Sequence, residues 1–388
     1  MFHIATDQDI INGRVTDVYF VRTKKILEAE RINKTVKAEF IVKTFPQSRK
    51  WGVLTGIDDA CNLLAKQGRP LNVRGMKEGT IFREYEPVMT IEGKYLDFGI
   101  YETSLLGLLC QSSGIATKAA RCKKTAVHRA VISFGARRMH PALAPMIERN
   151  AFLGGCDGVS VVESAKDLGI EPTGTMPHAL VLLIGDTVKS LQAFHKIIDK
   201  RVKRVALIDT FEDEKFGALN AAGALGKDLF GVRLDTPTSR RGNFLQILKE
   251  VRWELALRGF KDVKLFVSGG IDEADILELN EVVDAYGVGT AISNAQVLDF
   301  AMDIIEIEGE PIAKRGKMSG GKSVYRCPSC YSSISVPFNT KPDKICKCRT
   351  KYENLTCDLV KNGKILHKTS PAKEIRDYVL RQLGHYEL

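Results

Sequence analysis

Acids, arginines and glycine-rich turns recur at the ends of short apolar runs along this chain. Arg137 and Arg138 follow the run 127–134, Glu163 follows 158–162, and Asp209 follows 204–208. Arg233 and Asp235 close 230–234. Ser268-Gly269-Gly270 closes the run 265–267, and Gly287-Val288-Gly289-Thr290 closes the run from Val282 to Tyr286. Glycine lets a backbone approach an anion closely, and N–H groups at a following helix start can point at it. Cations, carboxylates and two such turns suit a substrate that carries phosphate, a pyrophosphate-like group and Mg²⁺ held through few protein ligands. Thr175-Met176-Pro177-His178 adds an imidazole that can take or give a proton, or accept a phosphoryl group on nitrogen.

A second constellation lies near the end of the chain. Cys327-Pro-Ser-Cys330 is followed, after 15 residues, by Cys346-Lys-Cys348. Four thiolates in two knuckles suit tetrahedral Zn²⁺ in a closed structural site. The second knuckle is C-x-C, so Cys357 is an alternative ligand. Lys341, Lys344, Lys347, Arg349 and Lys351 surround the cysteines, which raises nucleic acid as a partner. The sparse aromatic residues there, Tyr325, Tyr331, Phe338 and Tyr352, argue against it.

The elements that must carry these residues follow from the pattern between them. Short strands alternate with helices from about residue 111 to 294, which implies a parallel sheet with crossovers, closed into an irregular (β/α) barrel. Six strands are clear, and a seventh at 173–175 is doubtful. In such a barrel every strand ends at one mouth, where active sites sit, and phosphate is often held by the loops after the last two strands. Residues 1–110 read as an N-terminal α+β domain completed by about 295–322, where the segment 311–322 is either a linker or a returning strand. Residues 323–388 read as a small zinc-binding tail ending in an amphipathic helix with Ile375, Tyr378, Val379 and Leu383 on one face.

Bulk properties set the frame. The chain has 388 residues, 44% hydrophobic and 27% charged, as in soluble globular proteins. It has no apolar run long enough for a membrane span and no secretory signal, so a cytoplasmic location is expected. The formal net charge of +10 favours anionic partners, either nucleic acid or phosphorylated small molecules.

Taken in order, Phe134-Gly135-Ala136-Arg137-Arg138, Gly174-Thr175-Met176-Pro177-His178, Leu207-Ile208-Asp209-Thr210, Val232-Arg233-Leu234-Asp235, Ser268-Gly269-Gly270 and Gly287-Val288-Gly289-Thr290 resemble nicotinate phosphoribosyltransferases. Thr16-Asp17-Val18-Tyr19 resembles that family's N-terminal base-site motif. The resemblance covers about residues 10–300 and is to short, archaeal-looking members with an added cysteine tail. It implies a type II phosphoribosyltransferase-like fold and a homodimer or larger assembly with active sites shared across subunits. Phe134 would stack on the pyridine ring, and Arg137, with Arg138 and Thr175 nearby, would hold the nicotinate carboxylate. Asp17 and Tyr19 would close the base site of a neighbouring subunit. His178 matches a histidine phosphorylated by ATP in many members, which makes ATP an expected co-substrate. Asp209 and Asp235 would lie near the ribose and Mg²⁺. Arg233, Asp235, Ser268, Gly269, Gly270, Gly287, Gly289 and Thr290 would bind phosphoribosyl pyrophosphate.

Two departures stand out. Gly270 occupies a place where many relatives carry Asp, and Pro177 precedes the histidine. Two other readings remain open: a decarboxylating quinolinate phosphoribosyltransferase, and an inactive barrel that binds nucleic acid through the tail. Beyond Arg121, Lys123 and Arg137 the sequence offers no counterpart of the base site that quinolinate would need.

Overall fold

Runs such as Val205–Leu207, Gly231–Leu234 and Ala285–Val288 are apolar apart from Arg233 and the Tyr286 hydroxyl, and all three are almost wholly buried. Strands of that kind belong in a parallel sheet covered on both sides. The computed structural model describes residues 2–366 and 369–388 and bears this out. The chain divides into two units. One comprises residues 1–117 and 296–387, and the other residues 118–295 with the terminal Leu388. The helix Glu102–Ala126 runs through the division.

The second unit holds a six-stranded sheet in the order Gly158–Val159, Ala130–Ser133, Ala285–Val288, Lys264–Ser268, Gly231–Leu234, Val205–Leu207. Every neighbouring pair is parallel. The first strand of the unit pairs with the last, Ala130 opposite Ala285. Chain-order neighbours flank them, as in a closed barrel. The pairing is interrupted between Val159 and Val205. There the doubtful seventh segment contributes one backbone bond, from Thr173 N–H to the Val159 carbonyl at 2.8 Å, and forms no strand. The barrel is therefore irregular at this seam.

Helices cover the sheet because their starts are capped and their inner faces are apolar. Asp186, Asp213 and Asn243 accept N–H bonds at the starts of Thr187–Ile197, Glu214–Leu225 and Phe244–Leu257. Such caps are typically worth about 1 kcal/mol each. Phe244, Leu248, Val251 and Leu255 recur every three or four positions and are buried, whereas Trp253 between them faces out. Leu265 and Val267 are fully buried. Burial of a side chain of that size contributes roughly 1.5–3 kcal/mol.

The first unit is built on an antiparallel seven-stranded sheet. Its order is Glu310–Pro311, Phe300–Ile307, Thr35–Val42, Met89–Lys94, Asn72–Gly75, Cys357–Lys361, Lys364–Ile365. The returning strand is thus Phe300–Ile307, which pairs with Thr35–Val42, and the glycine- and lysine-rich stretch after Pro311 is mostly loop. Residues 323–388 fall in this same unit. Cys357–Lys361 pairs directly with Asn72–Gly75, and Gln382 of the helix Ala372–Leu383 bonds to Gly79 and Ile81. The cysteines lie beside a small three-stranded sheet, Ser333–Pro337, Lys322–Arg326, Glu353–Asn354.

Candidate active site

Parallel strands place their C-terminal ends along one edge, so the residues after Ser133, Val159, Leu207, Leu234, Ser268 and Val288 meet. They enclose a cavity of about 320 Å³ lined by Phe134, Arg137, Arg138, Ser160, Gly174, Thr175, Arg233, Asp235, Ser268, Gly269, Gly270, Gly287, Gly289 and Thr290.

The wall nearest the sheet is a charge-paired network. Arg233 Nε donates to Ser268 Oγ at 2.8 Å, one Nη donates to Thr175 Oγ1 at 3.0 Å, and the other meets Asp235 Oδ1 at 3.2 Å. Ser268 Oγ donates to the same Asp235 oxygen at 2.5 Å. His178 stands behind Asp235. Its Nε2 lies 3.5 Å from Asp235 Oδ2 and its Nδ1 lies 2.9 Å from Thr210 Oγ1. Asp209 Oδ2 accepts from the Asp235 N–H at 2.6 Å and from Thr236 Oγ1 at 3.1 Å. Asp209 Oδ1 is buried with no hydrogen-bond partner among the described residues. Burial pushes the Asp209 carboxyl above its usual range, against the Asp235 N–H, His178 and Thr236, which favour the anion. A buried carboxylate oxygen with no donor fits a cation or a sugar hydroxyl.

The opposite wall carries free positive charge. Arg137 and Arg138 lie on the short helix Ala136–Arg138, both exposed, and neither has an ion-pair partner among the described residues. Phe134 lies between the walls, with the Arg233 guanidinium 5.4 Å from its ring centre. The glycines here are dictated by close approach. A Cβ on Gly287 would come within 2.4 Å of the Phe134 ring, and Gly269 and Gly270 have φ of +86° and +73°. At Gly270 a larger L-residue would be strained. Asp235 Oδ1 lies 3.1 Å from the Cβ position of the neighbouring Gly269.

Several sequence expectations are placed elsewhere. Glu163 does not line the cavity: the strand stops at Val159, and Glu163 sits in the first turn of Val162–Leu168, paired with Lys166 at 2.8 Å. The start of helix Glu273–Leu279 is closed by its own Asp272 in a capping box, so its Ala274 and Asp275 N–H groups are not offered to an anion, contrary to the sequence expectation. Asp17 and Tyr19 belong to the first unit. There Asp17 Oδ2 accepts from Thr103 Oγ1 at 2.8 Å and from the Tyr19 hydroxyl at 3.4 Å, and Tyr19 is exposed. Lys118 and Arg121 each bind Glu273 at 2.8 Å, and Lys123 binds Asp157 at 2.7 Å. Ser160, Glu148 and Arg241 went unread in the sequence. Glu148 is fully buried and accepts bonds from Ser160 Oγ, Ser160 N–H and Val161 N–H, which fixes the end of its strand.

In the first unit, the Sγ atoms of Cys327, Cys330, Cys346 and Cys348 lie within 4.8 Å of one another, a group able to hold a metal ion. Cys357 is not among them. It sits in the large sheet, with its Sγ 3.7 Å from the Gly75 carbonyl. Another cavity in this unit, of about 220 Å³, is lined by Lys37, Arg74, Lys322 and Phe338 among others. Those three cations are already matched by Glu306, Asp358 and Glu39.

Known proteins share this arrangement. Residues 17–113 match the family model of the quinolinate phosphoribosyl transferase N-terminal domain, and residues 115–303 that of its C-terminal domain. With the cavity above, this makes the chain a phosphoribosyltransferase of the two-domain, α/β-barrel class. Nicotinate-nucleotide pyrophosphorylase from Pyrococcus furiosus is 54% identical, with a TM-score of 0.97 over 100% of this chain and 99% of that one. A nicotinate phosphoribosyltransferase of Mycobacterium tuberculosis is 28% identical over 93% of this chain and 88% of its own length. Human nicotinic acid phosphoribosyltransferase, 17% identical, shares the fold with a TM-score of 0.74 over 96% of this chain and 94% of that one. The chain belongs to the family that these quinolinate phosphoribosyl transferase domain models define, and its curated relatives are named nicotinate phosphoribosyltransferase.

Proposed function

We propose that this protein transfers the phosphoribosyl group of phosphoribosyl pyrophosphate to nicotinate, giving nicotinate mononucleotide and pyrophosphate, in NAD biosynthesis. The observation that carries this is the pair of unpartnered arginines, Arg137 and Arg138, beside Phe134 and opposite the Arg233–Asp235–Ser268 wall. A planar anionic ring fits between an aromatic face and a guanidinium fork, which can bind both carboxylate oxygens. A neutral amide gains less from the same cations, so nicotinate is preferred over nicotinamide.

The chemistry follows from charge. As the bond from ribose C1 to pyrophosphate breaks, positive charge builds on the sugar and negative charge on the leaving group. Asp235 and Asp209 stabilise the first. Arg233 and the N–H groups of the Ser268–Gly270 turn stabilise the second. Gly287, Gly289 and Thr290 complete the donor site. Asp209, through its free oxygen, and Asp235 would hold Mg²⁺, which would supply positive charge against the leaving pyrophosphate. The pyridine nitrogen of nicotinate then attacks C1.

In this reading His178 couples the transfer to ATP through a phosphohistidine. The bond between Nδ1 and Thr210 and the approach of Nε2 to Asp235 orient its ring. Asp17 and Tyr19 complete the base site of a second copy in a homodimer. The four cysteines hold a structural Zn²⁺, since two short knuckles of thiolates match its tetrahedral preference. No helix of the described residues is long and apolar enough to cross a membrane, and a cytoplasmic location is in keeping with the substrates.

A quinolinate reading is favoured by the family models matched and by the name of the 54%-identical Pyrococcus furiosus protein, nicotinate-nucleotide pyrophosphorylase. Against it, Arg121 and Lys123, the further cations a second carboxylate could use, are tied to Glu273 and Asp157. Steady-state rates with nicotinate, nicotinamide and quinolinate, each with and without ATP, test the proposal. Nicotinate should give the highest kcat/KM with pyrophosphate released. Carbon dioxide release from quinolinate at a higher efficiency would overturn it.

A further inference from the structure

Arg240 and Arg241 are neighbours in the loop after Asp235, and only one of them turns inward. Residues 237–240 are exposed, whereas Arg241 is 7% exposed. Its Nε donates to the Thr236 carbonyl at 2.7 Å. One Nη donates to the Ser268 carbonyl at 2.9 Å and also to the Gly269 carbonyl. The guanidinium carbon packs 4.7 Å from the centre of the Phe244 ring. These three carbonyls belong to two walls of the cavity, the segment after Asp235 and the glycine turn after the strand Lys264–Ser268.

The consequence lies in the peptide planes. In a trans peptide the carbonyl and the next N–H point in opposite directions. A Ser268 carbonyl held by Arg241 therefore turns the Gly269 N–H away from it, and a held Gly269 carbonyl does the same for Gly270. Two successive glycines with positive φ have little steric preference of their own, so an outside partner must set which edge faces the ligand. The Gly269 N–H faces the Gly287 carbonyl, since Ser268 pairs with Gly287 in the sheet, whereas the Gly270 N–H has no hydrogen-bond partner among the described residues. Burial lowers the Arg241 pKa, and Asp275, Asp235 and Asp209 oppose that shift, so the charge is kept behind the turn.

We propose that Arg241 is a positioning residue for the donor's phosphates: it holds the Ser268 and Gly269 carbonyls, fixes the turn, and so aims the Gly270 N–H into the cavity. This rests on the phosphoribosyl pyrophosphate reading above. Arginine is needed because its rigid fork reaches acceptors on two segments at once, whereas a lysine ammonium is a single point.

The test compares Arg241→Gln and Arg241→Lys in the full chain, measuring kcat, both KM values, thermal stability and calorimetric binding of phosphoribosyl pyrophosphate with Mg²⁺. Loss of the fixed turn and its aimed N–H should raise the donor KM about tenfold or more, with the nicotinate KM within about twofold and the Tm within a few degrees of wild type. The lysine variant should recover part of the loss, and it supplies the reading should the glutamine variant fold poorly. An unchanged donor KM in both variants, or a parallel rise of both KM values with a falling Tm, overturns the assignment. If wild-type protein binds the donor and neither substitution weakens it, this inference alone fails. If wild-type protein does not bind the donor at all, the proposed function fails with it.

Discussion

At the level of single residues, the two walls of the cavity do different work. Arg137 and Arg138 are uncompensated, whereas Arg233 is committed to Asp235, Ser268 and Thr175. Arg137→Ala should therefore raise the nicotinate KM by about 10- to 100-fold, since a hydrogen bond to a charged group contributes roughly 1.5–3 kcal/mol. An unchanged nicotinate KM in steady-state assays would remove Arg137 from the base site. His178→Ala should abolish stimulation by ATP and leave slow transfer; acceleration by ATP in that variant would refute the phosphohistidine role. A third residue titrates away from the cavity. Burial pushes Glu102 up to about 7 from an ordinary 4.5, with Lys314 opposing and Asp17 reinforcing the shift. Folding thus takes up a proton between those values, and stability falls as pH rises through that window. Glu102→Gln should raise the Tm at pH 8 and lose this advantage by about pH 4.5. Parallel Tm-versus-pH curves for the two proteins would contradict the shift. Phe134, Asp209, Arg233 and Asp235 were legible because each closes an apolar run. Arg241 and Glu148 were not, because no local pattern says that a charged loop or helix residue will be buried by its neighbours.

At the level of elements, the strand ends are packed by glycines whose neighbours explain them. Gly287→Ala would drive a methyl group into the Phe134 ring. Overpacking of this kind costs roughly 1–3 kcal/mol. The expected outcome is a rise in both KM values, larger for nicotinate, read from the same steady-state assay; an unchanged nicotinate KM would remove the Phe134 ring from the base site. The cysteine group sits in a loop that is tied down at several points. Tyr331 stacks on His385 at 4.0 Å, and Arg83 donates to the Tyr331 carbonyl at 2.9 Å. Cys346→Ser should abolish bound zinc, measured by elemental analysis, and lower the Tm without changing either KM. Retention of one zinc per chain would disprove the four-cysteine assignment. The knuckles could be read from spacing alone. The exclusion of Cys357 could not, because it depends on that strand pairing with Asn72–Gly75 far away in sequence. Strand limits were also hard to read: the sheet takes only Gly158–Val159 of the run 158–162, and this moved Glu163 onto a helix.

For the whole molecule, alternation of apolar runs and helical stretches was enough to predict a parallel α/β barrel, and the doubtful segment at 173–175 lies at the interruption of the sheet. Less legible was the return of the chain to its first unit. Phe300–Ile307 and Cys357–Lys361 both add to a sheet begun before residue 100, and such long-range antiparallel pairing leaves little trace in local sequence. The division of labour is clear nonetheless. One unit gathers the acids, arginines and glycine turns around a single cavity, and the other carries Asp17, Tyr19 and the cysteines. A crystal structure of the protein soaked with phosphoribosyl pyrophosphate and Mg²⁺ tests the central claim. The diphosphate should lie against Arg233 and the Ser268–Gly270 turn, with ribose C1 facing Phe134 and Arg137. Donor density on any other surface, with this cavity empty, would contradict it.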